Sequence, residues 1–214
     1  MIRSLLTYSQ DGIEVKPSWV HKHVKDAYAL QENLIETLFT YGKQRDVTIN
    51  RNENGDTRII NDTYMDYDQI KEYFPDLLVL YKEGLKEISK VLGEEIIKSP
   101  YGKSAMTLKL YKGINSEHGW HTETNSVTGL VYFTDIFEEK GGALQFSPIA
   151  KRMPIFTLCP SAFSLVVLRG HDLWHRVTPM KDENAVRVCL VMNYYLPNDI
   201  NRPKDIDALH YGEK

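Results

Sequence analysis

The chain has 214 residues, a formal net charge of −3 and near-average shares of apolar (42%) and charged (26%) residues. This composition excludes wholesale disorder and a coiled-coil rod, and the length suffices for one domain with a closed core. A basic surface for nucleic acid is excluded as well, because 26 Lys and Arg residues stand against 29 Asp and Glu residues without forming a basic block.

The sequence shows no sign of a membrane or export segment. Charges interrupt every apolar stretch before it reaches membrane-spanning length, and the N-terminus lacks a long apolar run with a cleavage site. We therefore expect a cytoplasmic protein without a membrane or nucleic-acid partner. Cys159 and Cys189 are too few for a disulfide framework and are expected to be reduced.

The first half of the chain has the 3.6-residue periodicity of helices. One helix is expected after Pro17, ending before Gly42, and a second after Pro75, ending before Gly93. The polar stretch 50–66 between them is expected to be a loop with a short hairpin. The apolar positions of the two helices are Val20, Val24, Ala27, Leu34, Ile35, Leu38 and Phe39, then Leu77, Leu78, Tyr81, Leu85, Ile88 and Leu92.

From residue 107 onward the periodicity shortens to that of strands separated by turn signals. Short connections favour antiparallel pairing, and the pattern predicts a barrel or jelly roll with the early helices covering one outer face. The expected organisation of this single globular unit is a helical and loop segment (1–102), a β core (103–198) and a tail (199–214). The predicted strands are 107–110, 127–134, 143–146, 155–158, 163–168, 176–178 and 186–195.

The densest group of potential metal ligands lies at the end of the first predicted barrel strand. In an extended chain residues i and i+2 point to the same side, so His121 and Glu123 can grip one ion, whereas His118 has the other parity if the strand is regular. His175, on a later strand, can supply a third ligand. Two imidazoles and one carboxylate form the facial triad that leaves open positions on Fe(II).

Arg187 lies within the last long apolar strand. A buried cation needs an anionic partner, and the guanidinium fork suits a carboxylate held at two points. A bound dicarboxylate would supply that partner. The alternative is a carboxylate of the protein itself.

His121, Glu123, His175 and Arg187 belong to a series of motifs between Tyr111 and Arg187. The order of these motifs along the chain resembles the prolyl-4-hydroxylase-like pattern of the Fe(II)/2-oxoglutarate-dependent dioxygenases. The resemblance implies a mainly β fold with α, a double-stranded β-helix (jelly roll) buttressed by N-terminal helices, and the cofactors Fe(II), 2-oxoglutarate and O2. It implies His121, Glu123 and His175 as iron ligands, Arg187 as partner of the distal 2-oxoglutarate carboxylate and Tyr132 as a further contact. The matching residues are Tyr111, Gly113, His121 to Glu123, Tyr132 to Asp135, Gly141 to Leu144, His175 to Pro179 and Arg187.

Two positions depart from the common family pattern. The carboxylate ligand is Glu123 instead of aspartate, and Cys189 stands where Ser or Thr often adds a hydrogen bond. Chlorinating relatives carry Gly or Ala in place of the carboxylate, so Glu123 favours hydroxylation. The implied reaction couples oxidative decarboxylation of 2-oxoglutarate to hydroxylation of a C–H bond.

The substrate is expected to be small and polar, a free amino acid or a close derivative. Asn193 and Tyr195 share strand parity with Arg187 and are expected at the barrel mouth. By resemblance to the hydroxylases and halogenases of free amino acids, His118 would touch substrate and Arg58 would bind its carboxylate. Trp174 is a candidate pocket wall.

Two other readings of the same residues stay open at this point. A cupin-type metalloenzyme that does not use 2-oxoglutarate would keep the three ligands but would have no use for Arg187. A non-catalytic binding module on the same fold would lack the metal. The complete triad argues against the second reading.

Overall fold

The computed structural model describes residues 13–51, 56–147 and 156–199. In these ranges strands dominate, as the sequence predicts, and three α-helices pack on them: α1 (Ala27–Tyr41), α2 (Tyr67–Tyr73) and α3 (Leu77–Leu92). No helix in these ranges is long and apolar enough to cross a membrane. The strands are β1 (Ile13–Lys16), β2 (Lys43–Arg51), β3 (Asp56–Met65), β4 (Ile97–Lys98), β5 (Met106–Lys112), β6 (Glu117–His121), β7 (Val127–Tyr132), β8 (Leu144–Ser147), β9 (Phe156–Leu158), β10 (Leu165–Leu168), β11 (Trp174–Val177) and β12 (Val186–Tyr195).

The twelve strands form one continuous sheet in the order β1-β10-β7-β12-β5-β3-β6-β11-β8-β9, with β2 added on β3 and β4 on β12. All of these pairings are antiparallel. The sheet curls over itself, because Phe146 of β8 packs in one apolar cluster with Leu130 of β7 and Val166 of β10, far from it in the strand order. The predicted jelly-roll fold is confirmed.

The two predicted helices are present, one with a different beginning. α3 ends at Gly93, whose φ of 65° is the left-handed conformation that glycine adopts without strain. α1 begins at Ala27 instead of near Val20, because the Asp26 carboxylate caps the new helix by accepting from the Ala29 N–H at 3.0 Å. Phe39, counted in the apolar stripe, is 69% exposed.

The polar stretch before α3 is more ordered than the sequence predicts. It supplies β3, which forms a long hairpin with β2 from the residues just before it, and β3 then pairs with β5 and β6 in the main sheet. The short helix α2 was not predicted either; the Asp66 carboxylate caps it by accepting from the Gln69 N–H at 3.1 Å. The N-terminal part of the chain therefore contributes strands to the barrel as well as helices.

Alternation along β12 separates two cores. Val188, Leu190 and Met192 pack in the apolar cluster beneath the helices. Cys189 and Val191 pack in the cluster inside the barrel. Because successive side chains of a strand point to opposite faces, Arg187 shares the inner face, as its parity predicted.

Candidate metal centre and co-substrate pocket

The three predicted metal ligands converge inside the barrel. His121 on β6 and His175 on β11 are directly paired across the two strands, and both are 3% exposed. Glu123 follows β6, and its Oε1 lies 3.3 Å from His121 Nε2 and 3.4 Å from His175 Nε2. The three ligand atoms all lie within 4.8 Å of one another.

Both imidazoles present a metal-binding nitrogen to the shared space. His121 Nδ1 lies 2.7 Å from the Gly119 carbonyl and His175 Nδ1 lies 2.9 Å from the Leu173 carbonyl. A carbonyl only accepts, so each Nδ1 carries a proton, and each Nε2 is the nitrogen that can bind an ion. Adjacent ligands of an ion bound at about 2.1 Å are about 3 Å apart, so this donor set fits a small divalent ion.

The Glu123 carboxyl is held in its ionised form. Burial acts to raise its pKa, but hydrogen bonds and charge from the two imidazoles hold that pKa well below the usual value. A bound ion would replace any proton between the Nε2 atoms and the carboxylate, and would then meet one negative charge and two neutral nitrogens, the ligand set of non-haem Fe(II).

His118 lies beside the triad because β6 is irregular. On β11, His175 pairs with His121 of β6 and Val177 pairs with His118. One residue therefore separates the two pairs on β11 and two residues separate them on β6, which is a β-bulge. The regular alternation that would turn His118 away is thereby broken. Its ring stacks on that of His121 with centroids 4.1 Å apart. His121, the first residue of the triad, lies on β6, which is a strand separate from β5. The sequence had placed it at the end of the first barrel strand.

Arg187 is buried, 2% exposed, and surrounded by aromatic groups. Its Nη2 donates to the Tyr132 hydroxyl at 3.0 Å, and its guanidinium carbon lies 4.7 Å from the Tyr111 ring centroid and 5.1 Å from that of Tyr132. The Nε atom is buried without a hydrogen-bond partner. No carboxylate among the described residues forms an ion pair with this guanidinium.

The surroundings of Arg187 fit a carboxylate ligand. Burial raises the pKa of the Tyr132 hydroxyl, so this group stays neutral and accepts from Arg187 without offsetting its positive charge. An unpaired N–H beside a buried, uncompensated charge is the arrangement that a bound carboxylate would complete.

The other four residues predicted to bind substrate differ in their burial and in their partners. Asn193 donates from Nδ2 to the Ser104 carbonyl at 2.6 Å, and its Oδ1 is buried without a partner. Tyr195, 2% exposed, packs near Tyr101. Trp174 is half-buried on the face of β11 opposite His175. Arg58 lies on β3 and not in a loop, and its side chain is outside the described part of the chain.

A polar cluster that the sequence did not predict adjoins His118. Asp62 on β3 is held by two hydrogen bonds from Arg45, at 3.0 and 2.8 Å. Lys109 Nζ lies 4.0 Å from Asp62 Oδ2 and 3.3 Å from His118 Nδ1. The sequence shows Asp62 and Lys109 only as single charged residues, and the cluster becomes visible only once β3 and β5 are known to pair.

Solved structures of Fe(II)/2-oxoglutarate oxygenases share this fold. A prolyl-4-hydroxylase from Pseudomonas putida superposes with a TM-score of 0.59 at 15% identity, covering 88% of this chain and 94% of that one. A prolyl hydroxylase from Trichoplax adhaerens, solved with a hypoxia-inducible-factor peptide fragment, gives a TM-score of 0.65 at 13% identity, covering 89% and 86%. The epimerase SnoN with Fe3+ and α-ketoglutarate gives 0.63 at 12% identity, covering 94% and 86%.

A comparison of the sequence with protein-family models identifies the family within these oxygenases. The Halogenase D family model matches residues 4–211, so the chain belongs to the Halogenase D family. Among curated protein sequences, no significant match is found. The predicted membership of the Fe(II)/2-oxoglutarate-dependent oxygenases is confirmed, and the predicted cofactors, Fe(II), 2-oxoglutarate and O2, fit the His-Glu-His site.

Proposed function

We propose that this protein couples oxidative decarboxylation of 2-oxoglutarate to hydroxylation of a C–H bond in a small polar substrate, a free amino acid or a close derivative. His121, Glu123 and His175 hold the iron. When bound, Fe(II) supplies the activation of dioxygen, a step that no amino-acid side chain can perform. The protein binds the two organic substrates, orients them and excludes water.

One observation carries this proposal: the converging ligand atoms of His121, Glu123 and His175 inside the barrel. The two backbone carbonyls that accept from the Nδ1 atoms orient both rings before any ion binds. Such outer hydrogen bonds raise the basicity of the ligating nitrogen and limit ring rotation. The chain thus presents a preformed facial site.

Arg187 supports the assignment of 2-oxoglutarate as co-substrate. Its unpaired Nε and its Nη2, oriented by the Tyr132 hydroxyl, can bind one carboxylate at two points. Two aromatic rings cover the guanidinium and keep water from competing for it. A cupin-type enzyme without an oxo acid would leave this buried cation without a role.

Glu123 supports hydroxylation as the outcome, although the family name refers to a halogenase. A halide needs a coordination position on the iron that the protein leaves empty. Here the carboxylate lies 3.3 and 3.4 Å from the two ligating nitrogens and takes that position. A buried anion at this point also repels a second anion such as chloride.

The substrate class rests on residues expected at the barrel mouth and on His118 beside the triad. The buried Asn193 Oδ1 lacks a donor, which an ammonium or amide N–H of the substrate would supply. His118, stacked on His121, lies next to the metal position and can contact the substrate. Arg58 and Tyr195 stay candidates for substrate binding on the family resemblance and strand parity given above.

Succinate release tests the proposal directly. The purified protein, loaded anaerobically with Fe(II) and 2-oxoglutarate, is exposed to O2 with each free amino acid in a chloride-containing buffer. We expect one or a few substrates to stimulate succinate formation, and their product to gain one oxygen in the mass spectrum. A chlorinated product would overturn the assignment of hydroxylation. Failure of 2-oxoglutarate either to bind the Fe(II) protein or to be consumed would overturn the whole proposal.

A further inference from the structure

A row of charged side chains spans four strands and ends at His118. Arg45 on β2 pairs with Asp62 on β3, and its guanidinium donates to both carboxylate oxygens of Asp62, at 3.0 and 2.8 Å. Asp62 Oδ2 lies 4.0 Å from Nζ of Lys109 on β5. The same Nζ lies 3.3 Å from His118 Nδ1 on β6. Positive and negative charges thus alternate from β2 to β5, and the last cation contacts the histidine beside the metal ligands.

Lys109 belongs to the inner wall of the barrel. It pairs directly with Cys189 of β12, whose side chain packs inside the barrel, and directly paired residues share one face of a sheet. The Asp62 side chain is fully buried, and those of Lys109 and Arg45 are 14% and 15% exposed. Attraction to the buried Asp62 carboxylate favours the charged ammonium form of Lys109 and fixes its position.

The Lys109 ammonium determines which nitrogen of His118 carries the proton. An ammonium group has only N–H donors, so the nitrogen that faces it must accept, and the ring proton then lies on Nε2. The Tyr111 hydroxyl, 3.5 Å from the same Nδ1, can donate to it as well. At His121 and His175 the corresponding Nδ1 faces a carbonyl and carries a proton. The histidines around the metal position are therefore held in two opposite forms.

The two forms suit different tasks. An Nε2 atom that carries its proton on a neutral ring cannot bind an ion, but it can donate a hydrogen bond. The His118 ring stacks on that of His121 with centroids 4.1 Å apart, which places this donor beside the metal position. A carboxylate is the strongest acceptor that every free amino acid carries, and hydrogen bonds to an ionised acceptor are the strong ones.

We propose that Lys109 is a positioning residue that holds His118 with its proton on Nε2, and that this N–H donates to the carboxylate of the substrate. The contact with substrate rests on the proposed function, whereas the effect of Lys109 on His118 does not. Asp62 and Arg45 act one step further away, by keeping the Lys109 ammonium at His118 Nδ1.

Nuclear magnetic resonance of the metal-free protein, with isotope-labelled histidine, tests the effect of Lys109 on His118. Long-range proton–nitrogen correlations at about pH 8, above the ordinary pKa of histidine, distinguish a protonated ring nitrogen from one with a lone pair. The His118 signals are those that His118→Gln removes. We expect the proton on Nε2 in wild type and in Lys109→Arg, and at least partly on Nδ1 in Lys109→Met. Lys112→Met is the matched control, because its exposed ammonium on the same strand lies over the Phe39 ring instead.

Substrate kinetics test the contact with the carboxylate. The probe is the free amino acid that most stimulates succinate release, together with its methyl ester, measured as an inhibitor so that the ester need not react. Lys109→Met should raise the KM for the amino acid about tenfold, the loss expected when one hydrogen bond to a charged group is weakened. The KM for 2-oxoglutarate and the Fe(II) affinity should not change. The ester, which lacks the anionic carboxylate, should bind wild type more weakly than the amino acid does.

Several results would overturn the inference: a proton on Nδ1 of His118 in wild type, an unchanged His118 spectrum in Lys109→Met, equal rises in the KM for both substrates, or an ester that binds as well as the amino acid. If Lys109→Met does not fold, the wild-type spectrum still decides, since a proton on Nε2 supports the inference. If no amino acid stimulates succinate release, the proposed function fails, while the spectra still decide whether Lys109 positions His118.

Discussion

The two ends of the pocket are built by different physical means. At the metal end, polar side chains are oriented by single hydrogen bonds to backbone carbonyls, and their ligand atoms face one another across a small gap. At the other end, Arg187 is enclosed by the rings of Tyr111 and Tyr132 in the middle of the sheet. Directional bonds define the first end, and burial defines the second. The chemistry and the co-substrate affinity should therefore respond to different substitutions.

The largest effect is expected at the metal end, from His175→Ala. Loss of one of three ligands should lower Fe(II) affinity and substrate-stimulated succinate release by more than about 100-fold, since even outer groups that orient ligands contribute 10- to 100-fold. The measurement is Fe(II) titration together with succinate release. His21→Ala, which removes an exposed imidazole, is the matched control and should retain wild-type turnover.

Arg187→Met should weaken 2-oxoglutarate binding and leave Fe(II) binding unchanged. Removing the cation takes away the charged partner of the co-substrate carboxylate, which is worth roughly 2–5 kcal/mol, or about a 30-fold or larger rise in the KM for 2-oxoglutarate. Fe(II) binding should stay near that of wild type. Metal-dependent turnover that needs no 2-oxoglutarate and is retained in this variant would instead support the cupin-type metalloenzyme.

Tyr132→Phe should have a smaller effect at the same end. It removes the hydroxyl that accepts from Arg187 Nη2 at 3.0 Å but keeps the ring over the guanidinium. Loss of one hydrogen bond to a charged group predicts a rise of about tenfold in the KM for 2-oxoglutarate. Tyr194→Phe, on the outer face of β12 beneath the helices, is the control. It should lower Tm without changing that KM.

The smallest effect is expected outside the pocket, at Asp66. Its carboxylate caps α2 and accepts from Lys43 Nζ at 2.7 Å. Asp66→Ala should lower the free energy of unfolding by about 1–2 kcal/mol, the usual range for a helix cap, and should leave 2-oxoglutarate and Fe(II) binding intact. Urea denaturation at pH 7 measures the difference.

The Asp66 carboxylate also predicts a pH dependence. Burial acts to raise its pKa, but the hydrogen bonds from Lys43 and from the Gln69 N–H lower that pKa below its ordinary value. The carboxylate therefore stabilises the fold above its unfolded pKa, and this contribution is lost as the pH falls through the folded value. The difference in stability between wild type and Asp66→Ala should shrink on acidification. A constant difference down to the most acidic condition that still permits folding would contradict this.

Much of the pocket followed from local sequence pattern. The spacing of His121 and Glu123, the later His175 and the parity of β12 were sufficient to name in advance the three side chains that converge in the barrel, and Arg187 as a cation on its inner face. The limits of α3 followed from Pro75 and Gly93 as well. These features depend on short-range geometry, which alternation and helical periodicity report directly.

Other features were decided by the tertiary structure alone. His118 reaches the triad only because one extra residue in β6 breaks the alternation against β11. The burial of Asp62 and Arg45 depends on β3 pairing with β2 and β5, which no polar stretch reveals by itself. The Glu123 N–H donates a hydrogen bond to the Gly170 carbonyl, although 47 positions separate the two residues in the chain. The sequence by itself determined which groups can bind a metal and a carboxylate, whereas strand register and irregularities of a single residue decided which groups surround them, because those depend on contacts between distant segments.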